Sequence, residues 1–348
     1  MSSIFSRPLA RRTAAVTGAL VLAASVAGAQ QMQQTTLRGF TDVTYRAGSH
    51  GTAPSDFGLG QFVLHIMSKL SNDVHFMGET VFEYDQTDFA VDVERVIVSY
   101  TPRSYLNVSA GKHHTPLGYW NNAYHHGALL QPTIERPLMD RFEDDGGILP
   151  IHTTGLLLSG NDVGPAHLGY SFLVGNGIGS TPISDNNPRK SVTAELRSQV
   201  TSYLEVGVSG YDDLAPRGTL NLAGDSMPAP FSMRTIGGHV ALLGGHYELI
   251  SEYQRIMNHL EGDGTHPNNA MFVYAGRRFG SIVPYARWDK LDFDPADPYF
   301  AVADVQAALI GARYDFSAMG TIKLEGRQSK TALDRNRQEL VAQVAIGF

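Results

Sequence analysis

The residues best equipped for chemistry crowd into one stretch, residues 113–151, which carries His113, His114, His125 and His126, with His152 just beyond it. Imidazole suits zinc, copper and nickel, so four histidines raise a metal site as one reading. Their pairing weakens it, because adjacent residues on extended backbone point to opposite sides and two pairs need not converge on one ion. Hydrogen bonding of the loop to a surrounding wall accounts for them better, with plain solvated surface as the remaining reading. Glu143, Asp144 and Asp145 precede Gly146 as in a calcium loop, but the alternating ligands and the terminal glutamate are missing. Tyr119 and Trp120 have the faces to stack on a sugar or to wedge the segment in place. Arg136 and Arg141 can pair with the acidic run or point into open space, and Lys112 stands at the segment's start. No metal and no cofactor is assigned.

Catalytic signatures are missing. There is no Gly-x-Ser-x-Gly and no His-Glu-x-x-His, and the chain has no cysteine. Gly175-Asn176-Gly177-Ile178-Gly179 is glycine-rich without a strand-to-helix context, and reads as a flexible loop continued by Asn186-Asn187-Pro188. The formal charge of −7 disfavours a nucleic-acid partner, since phosphate binding needs a basic surface.

The elements that must position these residues show a period of two. Over residues 37–46 one parity reads Leu37, Gly39, Thr41, Val43, Tyr45 and the other Arg38, Phe40, Asp42, Thr44, Arg46. Val74, Phe76, Thr80 and Phe82 alternate in the same way with His75, Glu79 and Glu83, and Tyr247, Leu249 and Tyr253 with Glu248, Glu252 and Gln254. One face is greasy and the other charged. After the leader no apolar run has the length of a membrane helix, while strands of roughly ten alternating residues are those of a transmembrane β-barrel. The expected fold is therefore all-β: a closed antiparallel barrel of about sixteen strands, with fourteen as the alternative. Arg38, Asp42, Glu79, Glu83, Glu248 and Glu252 fall on its lumen side.

Tight links at Ser71-Asn72-Asp73, Thr101-Pro102-Arg103, Gly244-Gly245, Phe279-Gly280 and Ala318-Met319-Gly320 alternate with longer ones around Ser49, Asn186, Pro228, Gly264 and Pro295. That is the asymmetry of short periplasmic turns and long outer loops. In residues 89–100, Asp92 and Glu94 share the parity of Val96 and Val98, which calls for a bulge or another phase. The chain ends Leu340, Ala342, Val344, Ile346, Phe348 on one parity, a final amphipathic strand closing on an aromatic carboxy-terminus. Outward Tyr45, Tyr84, Tyr253, Tyr314 and Phe316 fit interfacial girdles.

Residues 1–12 are short and basic, residues 13–26 small and apolar, and Ala27-Gly28-Ala29 offers small side chains before Gln30. This is the three-part pattern of a cleaved secretory signal, so residues 1–29 are read as leader and 30–348 as barrel. Removal of Arg7, Arg11 and Arg12 leaves a mature charge near −10.

Two patterns carry a resemblance. The longest connection, residues 113–151, follows the fifth strand, and classical sixteen-stranded porins fold their third outer loop into the lumen as a constriction from that same place. In addition, Glu94-Arg95 through Tyr100, Leu106-Asn107-Val108, Gly111-Lys112 and Thr115-Pro116-Leu117-Gly118-Tyr119-Trp120-Asn121 resemble porin-like proteins loosely related to the phosphate-selective porin family. The resemblance implies an outer-membrane channel for passive diffusion of small hydrophilic solutes. It implies no solute, because that family's lumenal arginine and lysine cluster does not map residue by residue. A phospholipase-type barrel enzyme and a non-conducting adhesin or anchor barrel are the alternatives. The partners expected are outer-membrane lipid, lipopolysaccharide and small solutes, and a homotrimer is left open. Eleven lumen acids, including Glu195, Glu205, Asp289, Asp315, Glu325 and Glu339, against seven bases, Arg38, Arg46, Arg197, Arg287, Arg313, Lys323 and Arg327, imply a mild preference for cations.

Overall fold

The computed structural model describes residues 34–48, 55–85, 88–124, 127–142, 146–331 and 337–348, with the side chains of residues 83–85, 88 and 89 left out. The leader, Ser49, His125, His126, Glu143, Asp144 and Asp145 lie outside the described residues, as do the side chains of Glu83 and Tyr84. Sixteen strands follow one another: β1 (Thr35–Gly48), β2 (Asp56–Lys69), β3 (Val74–Asp85), β4 (Asp88–Arg103), β5 (Leu106–His114), β6 (His152–Val163), β7 (Leu168–Gly175) and β8 (Ser191–Gln199). They continue as β9 (Leu204–Ala215), β10 (Phe231–Gly244), β11 (Tyr247–Leu260), β12 (Gly264–Arg277), β13 (Ile282–Asp292), β14 (Val305–Ser317), β15 (Gly320–Lys330) and β16 (Arg337–Gly347). Each pairs antiparallel with its neighbours in sequence, and β1 pairs with β16 to close the barrel. The fourteen-strand alternative is thereby excluded.

Alternation explains the closure. Leu37, Phe57, Leu156, Val208, Ile310 and Leu340 stand exposed on the outer surface, whereas Asp42, Glu79, Glu252 and Gln254 are buried inside. Among the described residues no helix is long and apolar enough to cross a membrane, and the strands provide the crossing. A barrel of this size encloses more space than strand side chains fill. The start of β1 and the end of β16 lie at one end, together with the short turns, and the longer connections lie at the opposite end, the outer one in a barrel of this kind.

Three boundaries differ from the sequence reading. The link assigned to Thr101-Pro102-Arg103 is strand, irregular between Tyr100 and Arg103, and the chain turns one step later at Ser104-Tyr105. A long outer loop around Gly264 is instead the three-residue turn Glu261-Gly262-Asp263, because β12 starts at Gly264 and contains Pro267. Proline reads as a strand breaker, but pairing with β13 begins only at Asn269, so Pro267 pairs on one side alone, opposite Met257. Finally, His113 and His114 are the last residues of β5, so the long connection spans residues 115–151.

The seam closes on the last residue. Gly39 and Phe348 exchange backbone hydrogen bonds of 2.9 and 3.0 Å, and the Phe348 ring lies over Gly39 and stacks on Phe62 at 6.0 Å. A Cβ on Gly39 would stand 2.2 Å from the ring. Gly39→Val is therefore expected to displace the ring and lower barrel stability by about 1–3 kcal/mol, read as the urea midpoint of folding into lipid vesicles. An unchanged midpoint would show that the aromatic end contributes nothing to closure.

Candidate functional site

The third outer connection, residues 115–151, turns into the barrel. Its Leu117, Trp120, Leu138, Met139, Ile148, Leu149 and Ile151 are buried in one cluster with Phe272, Tyr274 and Tyr285 from the lumen wall. Trp120 is the wedge, fully buried with its ring edge-on to Phe272 at 5.7 Å and to Tyr124 at 5.1 Å. It belongs to a single helical turn, α1 (Tyr119–Ala123), entered through Gly118 at φ 73°. Glycine is needed there twice over, for the positive φ and because a Cβ would lie 1.9 Å from a Glu252 oxygen.

An irregular segment withdrawn from water must find partners for its backbone groups. The wall provides them in charged form. Glu252 of β11 accepts from the Trp120 N–H at 2.6 Å, Glu325 of β15 from Ile134 at 2.7 Å, and Asp289 of β13 from Leu138 at 3.0 Å. In the other direction Arg287 donates to the carbonyls of Glu135 at 2.6 Å and Arg136 at 3.1 Å, and Lys323 to those of Ala128 at 2.5 Å and Thr133 at 3.2 Å. Charge-assisted bonds of this kind are about twice as strong as neutral ones.

Glu135 at the middle of the segment bridges Arg46 of β1 at 2.6 Å and Arg327 of β15 at 2.7 Å. Burial pushes its carboxyl up, but the two guanidiniums outweigh this and bring it down to about 2. Arg136 is buried, donating to Asn121 at 2.9 Å and to the Asp140 carbonyl, with its guanidinium 4.3 Å over the Phe142 ring. Arg141 is exposed and has no ion pair among the described residues; the same holds for Arg38.

On the facing wall β4 and β5 stop pairing at Val96 and Lys112, although β4 extends back to Asp88. Lys112 Nζ lies 3.7 Å from Glu94 and 3.8 Å from Asp92, and His152 Nε2 lies 2.6 Å from Glu94. Glu79 is held by Arg95, by His65 at 2.7 Å and by His114 at 3.8 Å. His113 is buried and its Nε2 has no hydrogen bond among the described residues. No metal-holding group of three or more His, Cys, Asp or Glu occurs among the described residues.

Most of the lumen charge is paired. Glu195 meets Arg197, Glu248 meets Arg313 and Arg278, Asp315 meets the same two arginines, and Glu339 meets Arg337. Asp42 accepts instead from Gln343 and the Gln61 N–H. Two cavities flank the inserted segment: an outer one of about 1160 Å³ reaching from Asp92 and Lys112 to Arg217, and one of about 390 Å³ at the turn end beside Tyr124, Glu248 and Arg313.

Against solved structures the chain aligns over nearly its whole length. The anion-selective porin from Comamonas acidovorans matches with a TM-score of 0.66 at 13% identity, covering 91% of this chain and 100% of that one. Salmonella typhi OmpF, solved with daunomycin, gives 0.64 at 11% identity over 91% and 98%, and the loop-deleted OmpT of Vibrio cholerae 0.61 at 13% over 91% and 99%. The fold is that of a bacterial porin. No protein-family profile and no curated protein matches the chain, so the phosphate-selective resemblance rests on its motifs alone.

Within this porin-type barrel, sequence reasoning missed Arg95, Arg278, Glu94 and Glu135. A register shift after Glu79 puts Glu94 and Arg95 both inside, which reverses parity along β4; the misplaced acids among its valines were the visible signal. Arg278 escapes because it sits in a turn, where alternation does not apply. The Glu135 clamp stabilises the inserted segment at pH values above the ordinary glutamate value of 4.5, and is lost only as pH falls from there toward about 2. Isotope-edited infrared titration is expected to find the Glu135 carboxylate ionised down to about that pH, and in Arg327→Gln to find it protonating at milder acid. Titration of the parent chain in the ordinary glutamate range would mean that the clamp does not form.

Proposed function

We propose that the protein is a porin-like channel of the bacterial outer membrane, through which small hydrophilic solutes diffuse passively and in which residues 115–151 set the size limit. The observation that carries this reading is the seat of Trp120, Ile134 and Leu138 on wall carboxylates inside a closed sixteen-stranded barrel. A loop held at three points across the lumen narrows it with a fixed geometry, and the polar cavities on either side are its vestibules. The exposed apolar outer surface suits lipid and lipopolysaccharide. Export through a leader cleaved after Ala29 belongs to the same reading, and a homotrimer is compatible with it, OmpT of Vibrio cholerae having been solved in a trimer form.

The role proposed for the charges follows from their pairing. Acids tied to arginine or to loop amides hold the loop and contribute little net field, so the preference for cations is mild. Screening over about 8 Å at physiological salt weakens it further.

Planar-bilayer recording tests pore, loop and charge together. The purified protein is expected to give discrete steps, a reversal potential slightly toward potassium in a potassium chloride gradient, and a larger unit conductance when residues 119–146 are deleted. A folded deletion variant of unchanged conductance would make the loop an external lid, and a clear anion preference blocked by phosphate would restore the phosphate-porin reading. Absence of any conductance would favour an anchor or enzyme barrel.

A further inference from the structure

Asp140 ends a 3-10 turn (Leu138–Asp140) of the inserted segment and is completely buried, yet neither of its carboxylate oxygens has a hydrogen-bond partner among the described residues. A buried polar atom without a partner calls for an explanation, and for an ionised carboxylate the cost is several kcal/mol. The charged groups within electrostatic reach of it are already engaged elsewhere. Arg136 of its own segment donates to the Asp140 backbone carbonyl and keeps its guanidinium on Asn121 and Phe142. From β13, Arg287 is paired with Asp289 at 2.8 Å, and Asp289 holds the Leu138 N–H. From β11, Glu252 spends one oxygen on the Trp120 N–H and leaves the other, also buried, without a hydrogen bond among the described residues. Asp140 thus faces two carboxylates and two arginines that are already engaged.

We propose that Asp140 is a proton-operated latch of the inserted segment: with its carboxyl protonated the turn stays seated on β11 and β13, and loss of the proton drives the turn off the wall. The neutral acid carries no uncompensated charge, whereas the anion adds a negative charge near Asp289 while the nearby arginines are already engaged. Burial, with the charge of Asp289 adding and those of Arg136 and Arg287 opposing, pushes this carboxyl up from 3.8 to about 7. A group raised in the folded state stabilises that state at low pH, and the contribution fades as pH climbs from about 4 through about 7. The latch therefore releases on the alkaline side, opposite in sign to the Glu135 clamp.

The proposal rests on the inserted-loop reading, and the chain's two tryptophans allow the two to be separated. Trp288 faces outward and is 38% exposed, so Trp288→Phe leaves buried Trp120 as the sole reporter on the segment. In folded Trp288→Phe barrels, Trp120 emission is expected to be blue and poorly quenched by acrylamide at pH 5, and to shift red with quenching raised several-fold by pH 9. Asp140→Asn should hold the low-pH spectrum throughout. Trp120 emission that stays blue from pH 5 to 9, or a transition that survives Asp140→Asn, would overturn the latch while leaving the loop in the lumen. Emission that is red at every pH would overturn both.

Discussion

A peptide group taken into the lumen of a barrel loses water on most sides and must be given a partner by the wall. Everything distinctive about this interior follows from how that is done. Strands β11, β13 and β15 each present one carboxylate to one loop N–H, and β13 and β15 return one cationic side chain to the loop's carbonyls. The loop then has no need of regular structure, which is why the described residues of 115–151 hold one helical turn and one 3-10 turn and are otherwise irregular.

This arrangement decides what the lumen charges are for. Glu325 serves Ile134, Arg327 and Tyr285 together, and Asp289 serves Leu138 and Arg287. Groups so committed cannot also greet a passing ion. Among the described residues, exposed charges without an ion pair lie toward the ends of the barrel, such as Arg38 near the start of β1 and Arg217 at the outer cavity. Size exclusion by the seated loop, with a weak electrostatic bias, is the behaviour such an interior supports.

Much of this was legible in the order of residues, and the reason is local. Side chains alternate across a sheet, so Asp42, Glu79, Glu248 and Glu252 announced their lumen positions by falling on the charged parity of alternating segments. The aromatic pair Tyr119-Trp120 announced a wedge because a loop long enough to fold inward must bring its own apolar anchor. Pairings across the lumen had no such signature: Glu135 meets Arg46 and Arg327 only once the loop has crossed the barrel, and Asp140 becomes unusual only when every donor around it is taken. The β4 bulge showed in the sequence as a break of parity at Asp92 and Glu94, whereas the strand residue Pro267 was hidden, since one missing N–H breaks a period without breaking a strand.

If wall carboxylates hold the loop, the amides of Trp120, Ile134 and Leu138 must be shielded in the folded protein. Residue-resolved hydrogen exchange of the barrel in lipid or detergent measures this directly. The account predicts that these three exchange as slowly as amides of the neighbouring strands, and that Ile134 alone loses protection in Glu325→Gln. Exchange of all three at the rate of an open, solvated loop would contradict it.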